Sequence, residues 1–138
     1  MKHIEMMRLA ESVALQSPCA DRKVGATIFR AGEVQPESTY NSSATDDSNS
    51  HHAEAILISW ALKRFGSVKG ATLYTTCRPC ARCTEMLLPL GLKAIYYRDA
   101  QPDMGHLQQL RDSGVLVDGS WIQGQVQESW AERNGVAG

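Results

Sequence analysis

The sequence predicts a single α/β domain, residues 1–138, built on one mixed β-sheet, and three observations predict it. Five short runs rich in β-branched and aromatic residues are each bounded by turn or loop residues. The first two are joined by Ala31-Gly32, as in a hairpin, whereas the later ones are separated by segments with helical apolar spacing, as parallel neighbours with crossover helices require. The length of 138 residues suits one domain with a core that needs no disulfide staples, and no repeat, linker or low-complexity stretch interrupts it.

In order, Met1 to Gln16 is a helix, with Met6, Leu9, Ala10, Val13 and Ala14 on one face, and Ser17-Pro18 ends it. Val24 to Arg30 is a strand and Glu33 to Tyr40 returns beside it. Pro36 cannot donate to a ladder, which places that second strand at a sheet edge. Asn41 to His51 holds no aliphatic residue larger than Ala and is a surface loop, acidic at Asp46 and Asp47. His52 to Arg64 is the second helix, apolar along Ile56, Leu57, Trp60 and Ala61 and stopped at Gly66. Gly70 to Thr76 is a strand, and Arg78-Pro79 opens a third helix carrying Cys80, Cys83, Met86, Leu87 and Leu90. Lys93 to Arg98 is a strand, Met104 to Ser113 a helix, Val115 to Asp118 the last strand, and Trp121 to Arg133 a terminal helix weakened by Gly124.

Composition narrows the function. Apolar content of 43% and charged content of 21% are those of an ordinary globular protein. No window has the apolar length of a membrane span, and the start lacks the apolar core of a secretory signal, so no membrane partner and a cytoplasmic location are expected. A formal net charge of -1 gives no surplus for neutralising phosphates along a polynucleotide, which favours a small-molecule substrate over nucleic acid. Four cysteines, three of them clustered, point to metal chemistry in a reducing compartment.

The chemistry concentrates in His52-Ala53-Glu54 and Pro79-Cys80-Ala81-Arg82-Cys83. His52, Cys80 and Cys83 supply three ligands for a tetrahedral Zn2+ and leave a fourth position for water, the plan of a catalytic site. Cys80 and Cys83, three apart, share one face of a first helical turn, where unpaired N–H groups stabilise thiolates. Glu54, two residues past His52, is placed to carry protons as a carboxylate that is not a ligand. The backbone N–H of Ala53 is placed to mark a ring carbonyl.

Each residue also has a plainer reading. A Cys-x-x-Cys alone is a structural zinc site, a redox pair or chance. His3, His51 and His106 read as surface histidines, and Cys19 as a small buried residue. Trp60 and the methionines of the first helix read as core. Cys77, three before Cys80, reads as a thiol lining the pocket, with ligation or redox pairing as the alternative. The conjunction of H-x-E with P-C-x-x-C disfavours a closed structural site, which would want a fourth protein ligand.

With these motifs assembled, the sequence resembles the cytidine/deoxycytidylate deaminase superfamily, and the dCMP deaminases most closely. The likeness runs from about Met7 to Asp99. It includes Met7-Arg8-Leu9-Ala10, Ser17 and Cys19, Arg22-Lys23-Val24-Gly25-Ala26, Tyr40-Asn41, and Gly70 to Thr76 leading into Pro79-Cys80. The resemblance implies a cytidine-deaminase-like fold: a five-stranded mixed sheet with helices on both faces, its last two strands parallel. It implies that His52, Cys80 and Cys83 hold zinc, that Glu54 is the proton shuttle, and that Asn41 contacts the sugar. Arg22 and Lys23 are then the nearest basic pair to a 5′-phosphate, and a homo-oligomer, often a hexamer, is implied. Three departures stand out: Thr39 and Ser42 replace glycines flanking Tyr-Asn, Ile56 replaces an Asn two residues past the glutamate, and the short loop to His52 carries no Cys and, besides His51, no His for a second zinc.

The expected function is hydrolytic deamination of a free pyrimidine nucleotide, dCMP or a C5-modified dCMP to dUMP plus ammonia. The alternatives are a cytidine or deoxycytidine nucleoside deaminase, a tRNA adenosine deaminase, or a zinc-held binding module without turnover. Intact Glu54 disfavours the last.

Overall fold

A computed structural model describes residues 3–18, 23–30, 36–41, 52–77, 79, 81–98 and 106–119. The Ala31-Gly32 turn, the loop through Asp46 and Asp47, His51, Cys19, Arg22, Ser42, Arg78, Cys80, the start of the Met104 helix and the whole Trp121 helix lie outside the described residues.

The described elements run α1 (His3–Ala14), β1 (Gly25–Phe29), β2 (Glu37–Tyr40), α2 (Ala53–Phe65), β3 (Thr72–Thr75), α3 (Ala81–Leu87), β4 (Ala94–Tyr97), α4 (His106–Asp112) and β5 (Leu116–Asp118), with a 3-10 turn at Leu88–Leu90 extending α3. They build a five-stranded sheet in the order β2-β1-β3-β4-β5. The two pairings of β1 are antiparallel, whereas β3–β4 and β4–β5 are parallel, each parallel pair linked through a helix. The hairpin followed by crossover units, the mixed sheet and the parallel last strands are therefore as expected. β2 is an edge strand as well, although Pro36 stands just before it rather than within it.

Strand alternation divides the core. On β3 and β4, Leu73, Ile95 and Tyr97 point to one face with Leu57, Ile58 and Ala61 of α2, Leu87 of α3 and Leu107 and Leu110 of α4. Tyr74, Ala94 and Tyr96 point to the other, where Met6, Met7 and Ala10 of α1 cover them. Helices thus lie on both faces. Each fully buried leucine or isoleucine stabilises the fold by about 1.5–3 kcal/mol. None of the described helices is long and apolar enough to cross a membrane.

The buried stripe of α1 is Met6, Met7, Ala10 and Ala14, not the one through Leu9 and Val13: Leu9 is exposed and Val13 only half-buried. The reason is the approach of α1 to β1. A Cβ on Gly25 would fall 1.8 Å from the Ala10 carbonyl oxygen, so the bare glycine and the small Ala10 together let the helix rest on the strand. That contact fixes the roll of α1 and turns Met7 inward.

Two further expectations are corrected. Trp60 is 50% exposed on the outer side of α2, because Leu57, Ile58 and Ala61 already fill the inner side. His3 is no plain surface histidine: its Nδ1 lies 2.5 Å from the Tyr74 hydroxyl and its ring packs 4.5 Å from that of Tyr96. The first helical residue thereby roofs the Tyr74–Tyr96 pair, whose rings stack 5.5 Å apart. Desolvation, with Lys93 nearby, lowers the His3 pKa from 6.5. Burial, with Tyr96 nearby, raises that of Tyr74 above the ordinary 10.0.

Candidate active site

The first site residue is set by a helix start. His52 is the N-cap of α2, with extended backbone at φ -76 and ψ 144 and no side-chain hydrogen bond to its own helix. A Ser, Asp or Asn there would turn back onto the orphan N–H groups of the first turn. The imidazole instead reaches away, and its Nδ1 lies 3.3 Å from the Cys83 sulfur. At the far end of α2, Gly66 closes the helix in the left-handed region at φ 78 and donates its N–H to the Leu62 carbonyl at 2.8 Å.

Glu54 lies in the first turn of α2, where the helix dipole favours a negative charge, and is only 5% exposed. Burying a carboxylate is costly unless donors meet it. Thr75, the fully buried last residue of β3, presents its hydroxyl 3.2 Å from Glu54 Oε1 and 3.0 Å from the Cys77 carbonyl oxygen. Thr75 follows Leu73 by two and so shares its face, the one beneath α2.

Cys83 is fully buried in the first turn of α3. Ligand atoms of His52, Glu54 and Cys83 all lie within 4.8 Å of one another. Zinc at about 2.3 Å from sulfur and 2.0–2.1 Å from nitrogen, with a tetrahedral angle between them, separates the two ligand atoms by about 3.5 Å. The observed 3.3 Å fits that demand. The site therefore suits a borderline-soft cation with a carboxylate close at hand. It lies at the carboxyl end of β3, where open α/β sheets place their chemistry.

The remaining expected residues divide. Ala53 is the buried first residue of α2, between the imidazole and the carboxylate. Cys80, the third expected ligand, and Arg22 lie outside the described residues. Asn41 is buried, and its Oδ1 accepts from the Val24 N–H at 2.9 Å and stands 2.7 Å from the Ser17 hydroxyl. Lys23 sends its ammonium to the Ser17 carbonyl at 2.7 Å. This second group is tied to the first across the end of the sheet: Asn41 N–H donates to Val24 O, while Thr76 N–H donates to Gly25 O and the Thr76 hydroxyl accepts from Gly25 N–H. Cys77 is buried at the end of that row, beyond Thr75 and Thr76. Sequence reasoning missed Thr75 and the scaffold role of Asn41. The signal for Thr75 was its even spacing from Leu73 directly before the ligand-bearing segment.

The profile of the cytidine and deoxycytidylate deaminase zinc-binding region matches residues 1–99, the greater part of the chain. The chain belongs to the cytidine and deoxycytidylate deaminase family. Among this deaminase chain's relatives, ComE operon protein 2 of Bacillus subtilis is 29% identical over 128 residues, 81% of this chain and 67% of that protein. The deoxycytidylate deaminase of Enterobacteria phage T2 is 34% identical over 71 residues, which span 50% of this chain but only 38% of the phage enzyme. Among solved structures, the apo dCMP deaminase of cyanophage S-TIM5 superposes with a TM-score of 0.70 at 28% identity, covering 86% of this deaminase and 99% of that chain. The same cyanophage enzyme is also solved with dCMP and dUMP. The family is defined on its zinc-binding region, and the His52–Glu54–Cys83 group is where this deaminase could hold a metal.

Proposed function

We propose that the chain is a zinc-dependent hydrolase that deaminates a free pyrimidine nucleotide, dCMP or a C5-modified dCMP, releasing dUMP or its C5 counterpart and ammonia. The observation that carries this reading is the convergence of His52, Glu54 and Cys83 within 4.8 Å. The names of the phage relatives and the formal net charge of -1 support a free nucleotide over a polynucleotide.

In this reading His52, Cys80 and Cys83 hold the zinc. When bound, zinc supplies a water acidic enough to act as a nucleophile near neutral pH. Glu54 takes the proton of that water and delivers it to ring N3 as oxygen bonds to C4. It then relays the remaining hydroxyl proton to the amino group, so that the C4–N bond breaks and ammonia leaves. The first-turn position favours the carboxylate before each transfer, and burial keeps bulk water from competing for its proton. The N–H of Ala53 donates to the ring O2.

Asn41 sits at the sugar edge, and Lys23 with Arg22 at the 5′-phosphate. The bond from Lys23 to the Ser17 carbonyl supports this role for Lys23 by holding the ammonium at the same end of the sheet as Asn41. In this reading residues 1–138 form a single deaminase domain, and the protein works in the cytoplasm as a homo-oligomer, a hexamer on the family's pattern.

The test is ammonia release by purified protein across dCMP, CMP, deoxycytidine, dCTP and 5-methyl-dCMP, with zinc measured on the same sample. About one zinc per chain and preference for a monophosphate are expected. Glu54→Ala keeps the metal and loses roughly 100-fold or more of turnover. A metal-free active enzyme, or full activity in Glu54→Ala, would overturn the mechanism, and turnover of nucleosides without phosphate preference would remove the role given to Lys23 and Arg22.

A further inference from the structure

We propose that Thr75 is a positioning residue for Glu54: its buried hydroxyl holds the carboxylate in the orientation from which protons are moved. This rests on the reading of Glu54 given above and adds a residue to it.

Three observations meet at this side chain. Thr75 Oγ1 is within hydrogen-bond distance of Glu54 Oε1, at 3.2 Å, and both residues are buried. The same oxygen stands 3.0 Å from the Cys77 carbonyl, in the segment that leads from β3 to the cysteines. The backbone of Thr75 is fixed on both sides, paired with Ala26 of β1 and Tyr97 of β4, so the hydroxyl is carried by the centre of the sheet.

A hydroxyl has one proton and two lone pairs. The charged acceptor takes the stronger bond, so the proton points to Glu54 when the carboxylate is ionised. Without it, a side chain with three rotatable bonds would lose a donor carried by the rigid centre of the sheet, and rotamers that face away from the reacting atoms would gain population. An error of about 1 Å in such a placement costs on the order of 100-fold in rate. A β-branched residue is already stiff at χ1, which makes Thr a firmer support than Ser in a strand.

The experiment compares Thr75→Val, which keeps the branched shape and removes the hydroxyl, with Thr75→Ser, which keeps the hydroxyl. Ammonia release on dCMP, zinc content and Tm are read on each. The expected result for Thr75→Val is a fall in kcat of roughly ten- to a hundredfold with KM within about twofold, zinc held, Tm lowered by only the few degrees that one lost buried hydrogen bond costs, and most of kcat recovered in Thr75→Ser. Unchanged kcat in Thr75→Val overturns the proposal. So does a loss that travels with lost zinc, or that Thr75→Ser does not recover, which would make Thr75 merely structural. Thr75→Ala stands in if Thr75→Val does not yield folded protein, and failure of both to fold also counts against the proposal. Glu54→Gln, assayed alongside, separates the two levels: an inactive Glu54→Gln with a normal Thr75→Val sinks only the role of Thr75, whereas an active Glu54→Gln sinks the mechanism beneath it.

Discussion

The Nδ1 atom of His52 lies 3.3 Å from the sulfur of Cys83, thirty-one residues further along the chain. Nitrogen and sulfur are thereby brought from two helix starts to about the separation that a shared zinc would require. His52→Ala and Cys83→Ser are each expected to lower zinc from about one per chain to a small fraction of that, measured by elemental analysis after dialysis. A ligand that binds only the folded state stabilises it, so chelation of wild-type protein should lower Tm, with a much smaller shift in either variant. Wild-type metal content in both variants would dismiss these residues as ligands.

Asn41 is expected to matter for stability as well as for substrate. Its Oδ1 meets the Val24 N–H and the Ser17 hydroxyl, so removing it leaves a buried donor without that acceptor. Asn41→Ala should cost about 1–3 kcal/mol in urea unfolding, and Ser17→Ala about 1 kcal/mol. A purely substrate-facing asparagine would leave the unfolding midpoint where it was and change only KM.

Gly25→Ala should be among the most damaging single-methyl additions at the described glycines. The new Cβ would overlap the Ala10 carbonyl, a backbone atom that cannot swing aside, so α1 must lift from β1. Overpacking of this kind costs about 1–3 kcal/mol. Equal unfolding midpoints for wild type and variant would show that α1 yields freely.

The His3–Tyr74–Tyr96 group makes stability depend on pH in two places. The His3 pKa is lowered by burial, so between its folded value and 6.5 the unfolded chain binds the extra proton. Its contribution is complete above 6.5 and fades as pH falls below it. The Tyr74 pKa is raised by burial, so the folded chain keeps a proton that the unfolded chain releases above 10.0. That contribution is complete below 10.0 and fades as pH rises above it. Urea midpoints followed across pH should decline at both ends. His3→Gln should flatten the acid limb and Tyr74→Phe the alkaline one, while unaltered limbs would remove the group from the account.

Sequence periodicity carried the sheet well and the helix faces less well. Runs such as Val24 to Arg30 and Gly70 to Thr76 declare strands because β-branched residues between turn residues have few other uses, and β1 and β3 fall within them. The helical segments between the later strands demanded parallel pairs, and these are present. The roll of α1 was hidden because it depends on Gly25, fifteen residues past Ala10 and in another element. His3 reads as exposed by default; only the sheet brings Tyr74 and Tyr96 beneath it. Trp60 follows a helical apolar spacing, yet the inner side of α2 has no room for an indole. At the site, the grouping of His52, Glu54 and Cys83 was legible because a metal site would restrict residue type and spacing tightly. Thr75 was not, since a threonine in a strand is ordinary until the fold brings a glutamate to its hydroxyl.

β3 runs through the middle of the sheet, flanked by β1 on one side and β4 on the other. It also lies between His52 and Cys83 in the chain, so the His52–Glu54–Cys83 group cannot be cut out and grafted elsewhere as a short cassette. A peptide spanning 52–83 would leave both edges of its strand without hydrogen-bonding neighbours and its apolar side chains in water. Reusing this chemistry in another host therefore means transplanting β1 and β4 along with the signature.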